Sequence, residues 1–236
     1  MTVFPANNTH ELVHYWQGRY GGLGHLYGPS RTERPRPHLP YALDNGAFGA
    51  FVNGTEWDEA RFMAHVGRYA FASLPPEWVV VPDVVADREA TLDRWEGYAG
   101  TLSREYGLTL AVAVQDGMTA ADVRALVPAA AVVFVGGSTD WKWATLRDWC
   151  AEFPRVHVGR VNTEGQLARA SEAGAESCDG TGWFRGHEKQ IAQLGRFLAI
   201  QAGRYDQDEE REILRVVHHS RTKRDKQGCL PMDGGE

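Results

Sequence analysis

Cysteine is scarce in this chain of 236 residues, which has three, Cys150, Cys178 and Cys229. They are widely spaced and odd in number, so neither a disulfide framework nor a Cys-x-x-Cys zinc site can be assembled from them, and a reduced, cytoplasmic protein is expected. Long hydrophobic runs are missing as well. No stretch approaches the roughly 18 uninterrupted apolar residues of a membrane helix. The opening MTVFPANNTHELVHYW has no basic region leading into an apolar core. Positive charge is in deficit, with 25 basic against 31 acidic residues and a net charge of −6. That balance excludes a broad surface for coating nucleic acid, so any such contact has to be local. There is no repeat of fixed period and no domain linker. A single domain over residues 1–219 is therefore expected, followed by a flexible basic tail, 220–236, that carries Arg221, Lys223, Arg224 and Lys226.

What is present, from about Pro40 onward, is an alternation of short apolar runs with longer amphipathic stretches, the pattern of repeated βα units. The strand candidates are Tyr41–Leu43, Trp78–Val81, Leu108–Val114, Ala130–Val135, Arg155–Gly159 and Ala175–Cys178. Helical spacing of apolar residues fills the gaps over Trp57–Phe71, Asp87–Tyr106, Thr119–Leu126, Trp141–Cys150, Thr163–Ala173, His187–Ala202 and Glu209–His218. Continuous apolar strands such as LAVAV and AVVFV suit a parallel sheet buried on both faces. The expectation is an α/β protein with a TIM-barrel-like (β/α)8 fold, and an open doubly wound sheet is the alternative. Six strands are clear, so the barrel needs more from the Gly-rich segment before Pro40 or from degenerate runs. Gly18–Pro40 itself reads as a loop.

Catalytic groups of a parallel barrel gather at the carboxyl ends of its strands. Reading those ends down the chain gives Asp44-Asn45-Gly46-Ala47-Phe48, Pro82-Asp83, Gln115-Asp116-Gly117, Gly136-Gly137-Ser138, Gly159-Arg160 and Cys178-Asp179-Gly180. Each has a plainer reading. Asn45-Gly46 and Asp179-Gly180 suit tight turns, Asp83 or Asp87 a helix cap, and Gln115 an ordinary strand-end hydrogen bond. Gly136-Gly137-Ser138 suits a strand-to-helix turn or a phosphate cradle, and lacks the GxGxxG and GxxxxGKS patterns, so no cofactor is expected. Joint placement favours a site, because independent turns have no reason to supply acids at the ends of separate strands.

At these residues the sequence resembles the tRNA-guanine transglycosylase superfamily. Within it, the likeness is to the compact DpdA-like branch, found in phages and bacterial genomic islands, that inserts 7-deazaguanines into DNA. The resemblance runs from about Tyr41 to Trp183 and rests on six short motifs in order: Asp44-Asn45-Gly46-Ala47-Phe48, Asp83, Val114-Gln115-Asp116-Gly117, Gly136-Gly137-Ser138, Val158-Gly159, and Gly174 to Asp179. The tRNA enzymes carry a Cys-x-Cys-x-x-Cys plus His zinc cluster after the last aspartate, where this chain has only Cys229. That departure favours DNA over tRNA as the substrate. Asp116 stands where the family pattern has glycine.

The resemblance implies guanine exchange for a 7-deazaguanine base, such as 7-cyano-7-deazaguanine, through a covalent glycosyl-enzyme. Asp179 would be the nucleophile and Asp44 the general acid and base, its pKa raised by burial. Asp83, Gln115, Gly136 and Gly137 would bind the base edge and Phe48 its face, on a nucleotide flipped out of the strand. Phosphate contacts would come from Arg31, Arg34, Arg36, Lys142, Arg160, Arg185 and Lys189. His157 and His187 are expected to be packing or surface residues. Most tryptophans read as core, with Trp183 kept open as a base platform. The competing readings are the same exchange on tRNA, a non-catalytic deazapurine- or nucleic-acid-binding barrel, and a metal- or phosphate-dependent barrel enzyme using Asp44, Asp83 and Asp179 as ligands.

Overall fold

The apolar runs pair side by side and all in parallel, as their lack of inward–outward alternation requires. A computed structural model describes residues 1–8, 10–126, 131–185 and 188–228, with side chains described as far as residue 220. The strands are β1 (Thr2–Pro5), β2 (His25–Tyr27), β3 (Tyr41–Leu43), β4 (Val79–Val80), β5 (Leu110–Val114), β6 (Val132–Val135), β7 (Val156–Val158) and β8 (Ser177–Gly180). The helices are α1 (Glu11–Tyr20), α2 (Ala47–Asn53), α3 (Glu59–Ala70), α4 (Arg88–Arg104), α5 (Ala120–Leu126), α6 (Thr139–Glu152), α7 (Glu164–Ala173), α8 (Glu188–Gln201) and α9 (Gln207–Gly228). The strands form one sheet in the order β1-β8-β7-β6-β5-β4-β3-β2. Its two edges meet through parallel bridges at Val3–Leu23 and Ala6–Leu26. The result is a nearly closed α/β barrel of the (β/α)8, TIM-barrel-like kind.

The strands needed to complete the barrel lie before Pro40. β1 is the N-terminal segment, and β2 falls inside the stretch that reads as a loop. Glycine and proline around His25–Tyr27 mask a strand of only three residues. The Asn45-Gly46 pair is no hairpin turn, since β3 and β4 run parallel, and Gly46 stands instead at the start of α2. Asp87, not Asp83, caps α4: its carboxylate accepts the Ala90 N–H at 3.0 Å. Asp83 is thereby left for another role. The segment from Ser220, which its composition marks as a flexible tail, continues α9 as helix to Gly228. Cys229 and the residues after it lie outside the described residues, as does His187.

Two hydrophobic layers hold the barrel. Leucine, valine and tryptophan fill the space between sheet and helices, with Trp16, Leu43, Phe62, Leu146 and Leu167 among the fully buried. Inside the barrel, Phe4, Trp78, Phe134 and His157 pack ring against ring over the small residues Ala42, Ala111 and Ala113. This aromatic plug is the floor of whatever sits at the barrel mouth.

Gly180 closes β8 where the chain crosses a neighbour at very short range, and a Cβ there would lie 2.1 Å from the Val161 carbonyl oxygen. Gly180 is thus fixed by close backbone approach and not by a turn. Gly180→Ala is expected to destabilise the protein by several kcal/mol, on the order of 3 or more, measurable as a collapse of the urea midpoint.

Candidate active site at the mouth of the barrel

The carboxyl ends of the strands surround one cavity of about 220 Å³. Asp44, Phe48, Asp83, Gln115, Gly136, Gly137, Arg160 and Asp179 all line it, joined by Asn7, Asn45, Phe134 and Thr181. The strand-end residues singled out from the sequence are therefore brought together. The volume lies below the roughly 300–1,000 Å³ of drug-sized pockets, which suits one flat base better than a dinucleotide.

Asp83 sits at the centre of a buried amide clamp. Its Oδ1 accepts from Asn45 Nδ2 at 2.7 Å and its Oδ2 from Gln115 Nε2 at 2.7 Å. Gln115 Oε1 in turn accepts the N–H groups of Ala86 at 3.0 Å and Gly137 at 3.2 Å. Gln115, expected to read the base edge, thus spends its carbonyl oxygen and one amide hydrogen on the frame. The Arg94 guanidinium holds the Asp83 backbone carbonyl at 2.6 Å. Burial raises the Asp83 carboxyl above its ordinary range, and the Asn45 hydrogen bond and Arg94 oppose that shift.

Asn45 is the keystone that strand-end reasoning passed over. Besides Asp83 it donates to the Val81 carbonyl at 3.0 Å and accepts the Ala47 N–H at 2.8 Å, so one side chain ties β3, β4 and α2 together. Asn45→Ala orphans these groups and is expected to cost about 2–3 kcal/mol, since each unsatisfied buried group costs about 1–3. Urea denaturation checks it, and an unchanged midpoint would show the clamp to be idle.

Asp44 and Asp179 complete the acidic set. Burial first, then the charges of Asp179 and Asp83, push the Asp44 carboxyl up to about 7 against the pull of the Gly46 and Asn45 N–H groups. Asp179 Oδ2 faces His157 Nε2 at 3.1 Å, and its Oδ1 accepts the Arg160 N–H at 3.3 Å. Arg160 has a left-handed backbone, φ 61°, a strained state for a side chain of this size. Its N–H on Asp179 and its guanidinium on the Gly137 carbonyl accompany that strain. The same guanidinium lies 4.6 Å over the Phe48 ring, so one face of Phe48 is occupied and the ring is 42% exposed.

The Gly136-Gly137 loop is shaped by Asp116, whose carboxylate accepts the Ser138 N–H and hydroxyl, both at 2.6 Å. A Cβ on Gly137 would come within 2.6 Å of that carboxylate, at a φ of +63°. Asp116 is thus a staple between the β5 and β6 loops.

Neither a known protein family nor a curated protein matches this sequence.

The cationic set divides. Arg160 is the cation among the residues lining the cavity. Arg31, ion-paired with Glu33, and the exposed Arg34 and Arg36 lie on the β2–β3 connection, while the exposed Arg185 and Lys189 flank the β8–α8 connection. Lys142, expected from the sequence to contact phosphate, is instead 1% exposed, and its ammonium donates to the Gly159 carbonyl at 2.6 Å, so it cannot meet a phosphate. Burial lowers its pKa to about 8. Trp183 is fully buried in the outer core and is no base platform. Among the described residues no three His, Cys, Asp or Glu side chains gather to hold a metal ion, so Asp44, Asp83 and Asp179 do not form a ligand set.

Proposed function

We propose that this protein exchanges guanine in DNA for a 7-deazaguanine base through a covalent glycosyl-enzyme. One observation carries the reading: two carboxylates in unlike environments, Asp44 near neutrality and Asp179 held by N–H donors, line one base-sized cavity with a clamped third, Asp83. Pairs of acids with environments that separate their roles are the signature of glycosidic-bond chemistry.

The steps balance as follows. A carboxylate oxygen of Asp179 attacks C1′ of a flipped deoxyguanosine. The bond from C1′ to the purine nitrogen breaks, and Asp44 gives its proton to the departing guanine. The incoming 7-deazaguanine then loses its ring N–H proton to the Asp44 carboxylate as that nitrogen attacks C1′ and frees Asp179. Two displacements retain the anomer. The remaining lone pairs of the Asp83 carboxylate offer the polar edge beside the Gly136-Gly137 loop, whose N–H groups are already bonded within the frame, and Phe48 with Arg160 flanks the base. The resemblance of the strand-end motifs to the compact, DNA-modifying branch of the tRNA-guanine transglycosylase superfamily supports DNA as the polymer.

The test is incubation of the purified protein with radiolabelled guanine or 7-cyano-7-deazaguanine and, in parallel, duplex DNA, single-stranded DNA and tRNA. Incorporation into DNA is the expected result. Label in tRNA alone moves the same chemistry to RNA, and tight binding of the free base with no incorporation into any polymer overturns the enzyme reading.

A further inference from the structure

An imidazole sits within the apolar packing of the barrel interior. His157, the middle residue of the Val-His-Val strand β7, is 0% exposed. It stacks on Phe134 at a centroid distance of 4.7 Å, meets Trp78 edge-on at 4.8 Å and Phe4 at 5.9 Å. A leucine or phenylalanine would fill that space with no polar atom to satisfy, and a buried polar group without a partner is costly. Both nitrogens of this imidazole are nevertheless satisfied. Nδ1 lies 2.8 Å from Ser177 Oγ, and Nε2 lies 3.1 Å from Asp179 Oδ2.

Donor and acceptor roles follow from the inventory of these groups. A carboxylate accepts only, so Nε2 must carry the hydrogen, and in the neutral imidazole Nδ1 then accepts from the Ser177 hydroxyl. Ser177 and Asp179 are alternate residues of β8, so their side chains point to the same face of the strand, and the β7 neighbour whose register matches Ser177 is His157 itself. The chain Ser177–His157–Asp179 is therefore fixed by strand register.

We propose that His157 is a positioning residue for Asp179, an inference that rests on the reading of Asp179 as nucleophile. The Nε2–H group pins Oδ2 and leaves Oδ1, which takes only the longer 3.3 Å contact from the Arg160 N–H, as the oxygen that meets C1′. As Oδ1 gives an electron pair to C1′ and the bond to guanine breaks, Oδ2 becomes the carbonyl oxygen of the glycosyl ester. It still accepts the same hydrogen, and when the incoming base frees the carboxylate the charge returns to a group already oriented. No proton moves through His157. Its contribution is the constant orientation of one oxygen, which is worth rate because a misplaced nucleophile loses the near-attack geometry.

The test uses the full chain with His157→Leu, which keeps bulk and removes the donor, and His157→Gln, whose amide restores an N–H near the Nε2 position. Imidazole ¹⁵N spectra of the labelled wild type are expected to show His157 as the Nε2–H tautomer, with that resonance displaced in Asp179→Asn. In the base-exchange assay His157→Leu is expected to lose about 10- to 100-fold in kcat, the range for a hydrogen bond to a charged group. Its KM for the free base should be near the wild-type value, and His157→Gln should regain most of the loss. A rate loss that His157→Gln shares in full marks a packing role and overturns the proposal. So does wild-type kcat in His157→Leu, or an Nδ1–H tautomer. If the wild type exchanges no base, the proposed function fails by itself, and the tautomer and its response to Asp179→Asn decide whether His157 holds Asp179. Should His157→Leu not fold, His157→Gln and the spectra decide.

Discussion

Asp179→Ala is expected to abolish base exchange, with kcat falling on the order of 10³-fold or more, the scale seen when a covalent nucleophile is removed. The fold should survive. Among the described residues the Asp179 side chain makes two hydrogen bonds, to the His157 ring and to the Arg160 N–H, and no ion pair with lysine or arginine. The substitution opens space at the cavity wall and leaves the His157 N–H without its acceptor, which costs about 1–3 kcal/mol. The floor of Phe4, Trp78 and Phe134 stays in place. Binding of the free base, measured by calorimetry, should therefore outlast the loss of chemistry. A second readout is covalent: denatured wild-type protein stalled on DNA without free base should carry the polymer, and Asp179→Ala should not. Exchange at near wild-type rate in Asp179→Ala would mean that the incoming base displaces guanine directly. That path inverts the anomer, so the stereochemistry of the product separates the two mechanisms.

The parts legible in the sequence were those with long-range periodicity. Helices α3, α4 and α6 to α8 show apolar residues three and four apart over ten or more positions, and β5 and β6 are uninterrupted apolar runs. Strand ends then followed from topology, because a parallel barrel forces them to one face, which is how Asp44, Asp83, Gln115 and Asp179 could be named together. What escaped was short or depended on a distant partner. β2 has three residues and borrows its strand character from β3 beside it, and α2 has seven between two glycines. Asn45 looked like turn punctuation, since its three hydrogen bonds go to residues whose proximity exists only in the fold. Lys142 looked solvent-facing, and the carbonyl that holds it belongs to Gly159, on another strand end. One signal was available for His157: a histidine between two valines in a strand buried on both faces has to find partners.

Asp44→Asn is expected to make the protein more stable and less active, and both effects should follow pH. In the unfolded chain this carboxyl titrates near 3.8, and in the folded protein near 7. Below pH 3.8 both states hold the proton and Asp44 costs nothing. As pH rises the unfolded chain releases its proton first, so stability falls until the folded group ionises as well. At about 1.4 kcal/mol for each pH unit between those values, the accumulated cost above neutrality is on the order of 4 kcal/mol. Asparagine carries no such cost and can still accept from the Gly46 and Asn45 N–H groups. Its melting temperature at pH 8 should exceed the wild type's by several degrees, at roughly 2–4 °C per kcal/mol for a chain of this size, and the gap should close toward pH 4. Activity should move the other way. The neutral carboxyl is the proton donor to departing guanine, so single-turnover guanine release by the wild type should decline above pH 7, the value at which Asp44 ionises. Asp44→Asn should lose about 10²–10⁴-fold, the worth of a placed general acid. A stability gap that is the same at pH 4 and pH 8 would show that the carboxyl titrates normally in the fold. In that case the barrel would have no proton to give at neutral pH, and the division of labour between Asp44 and Asp179 would collapse with it.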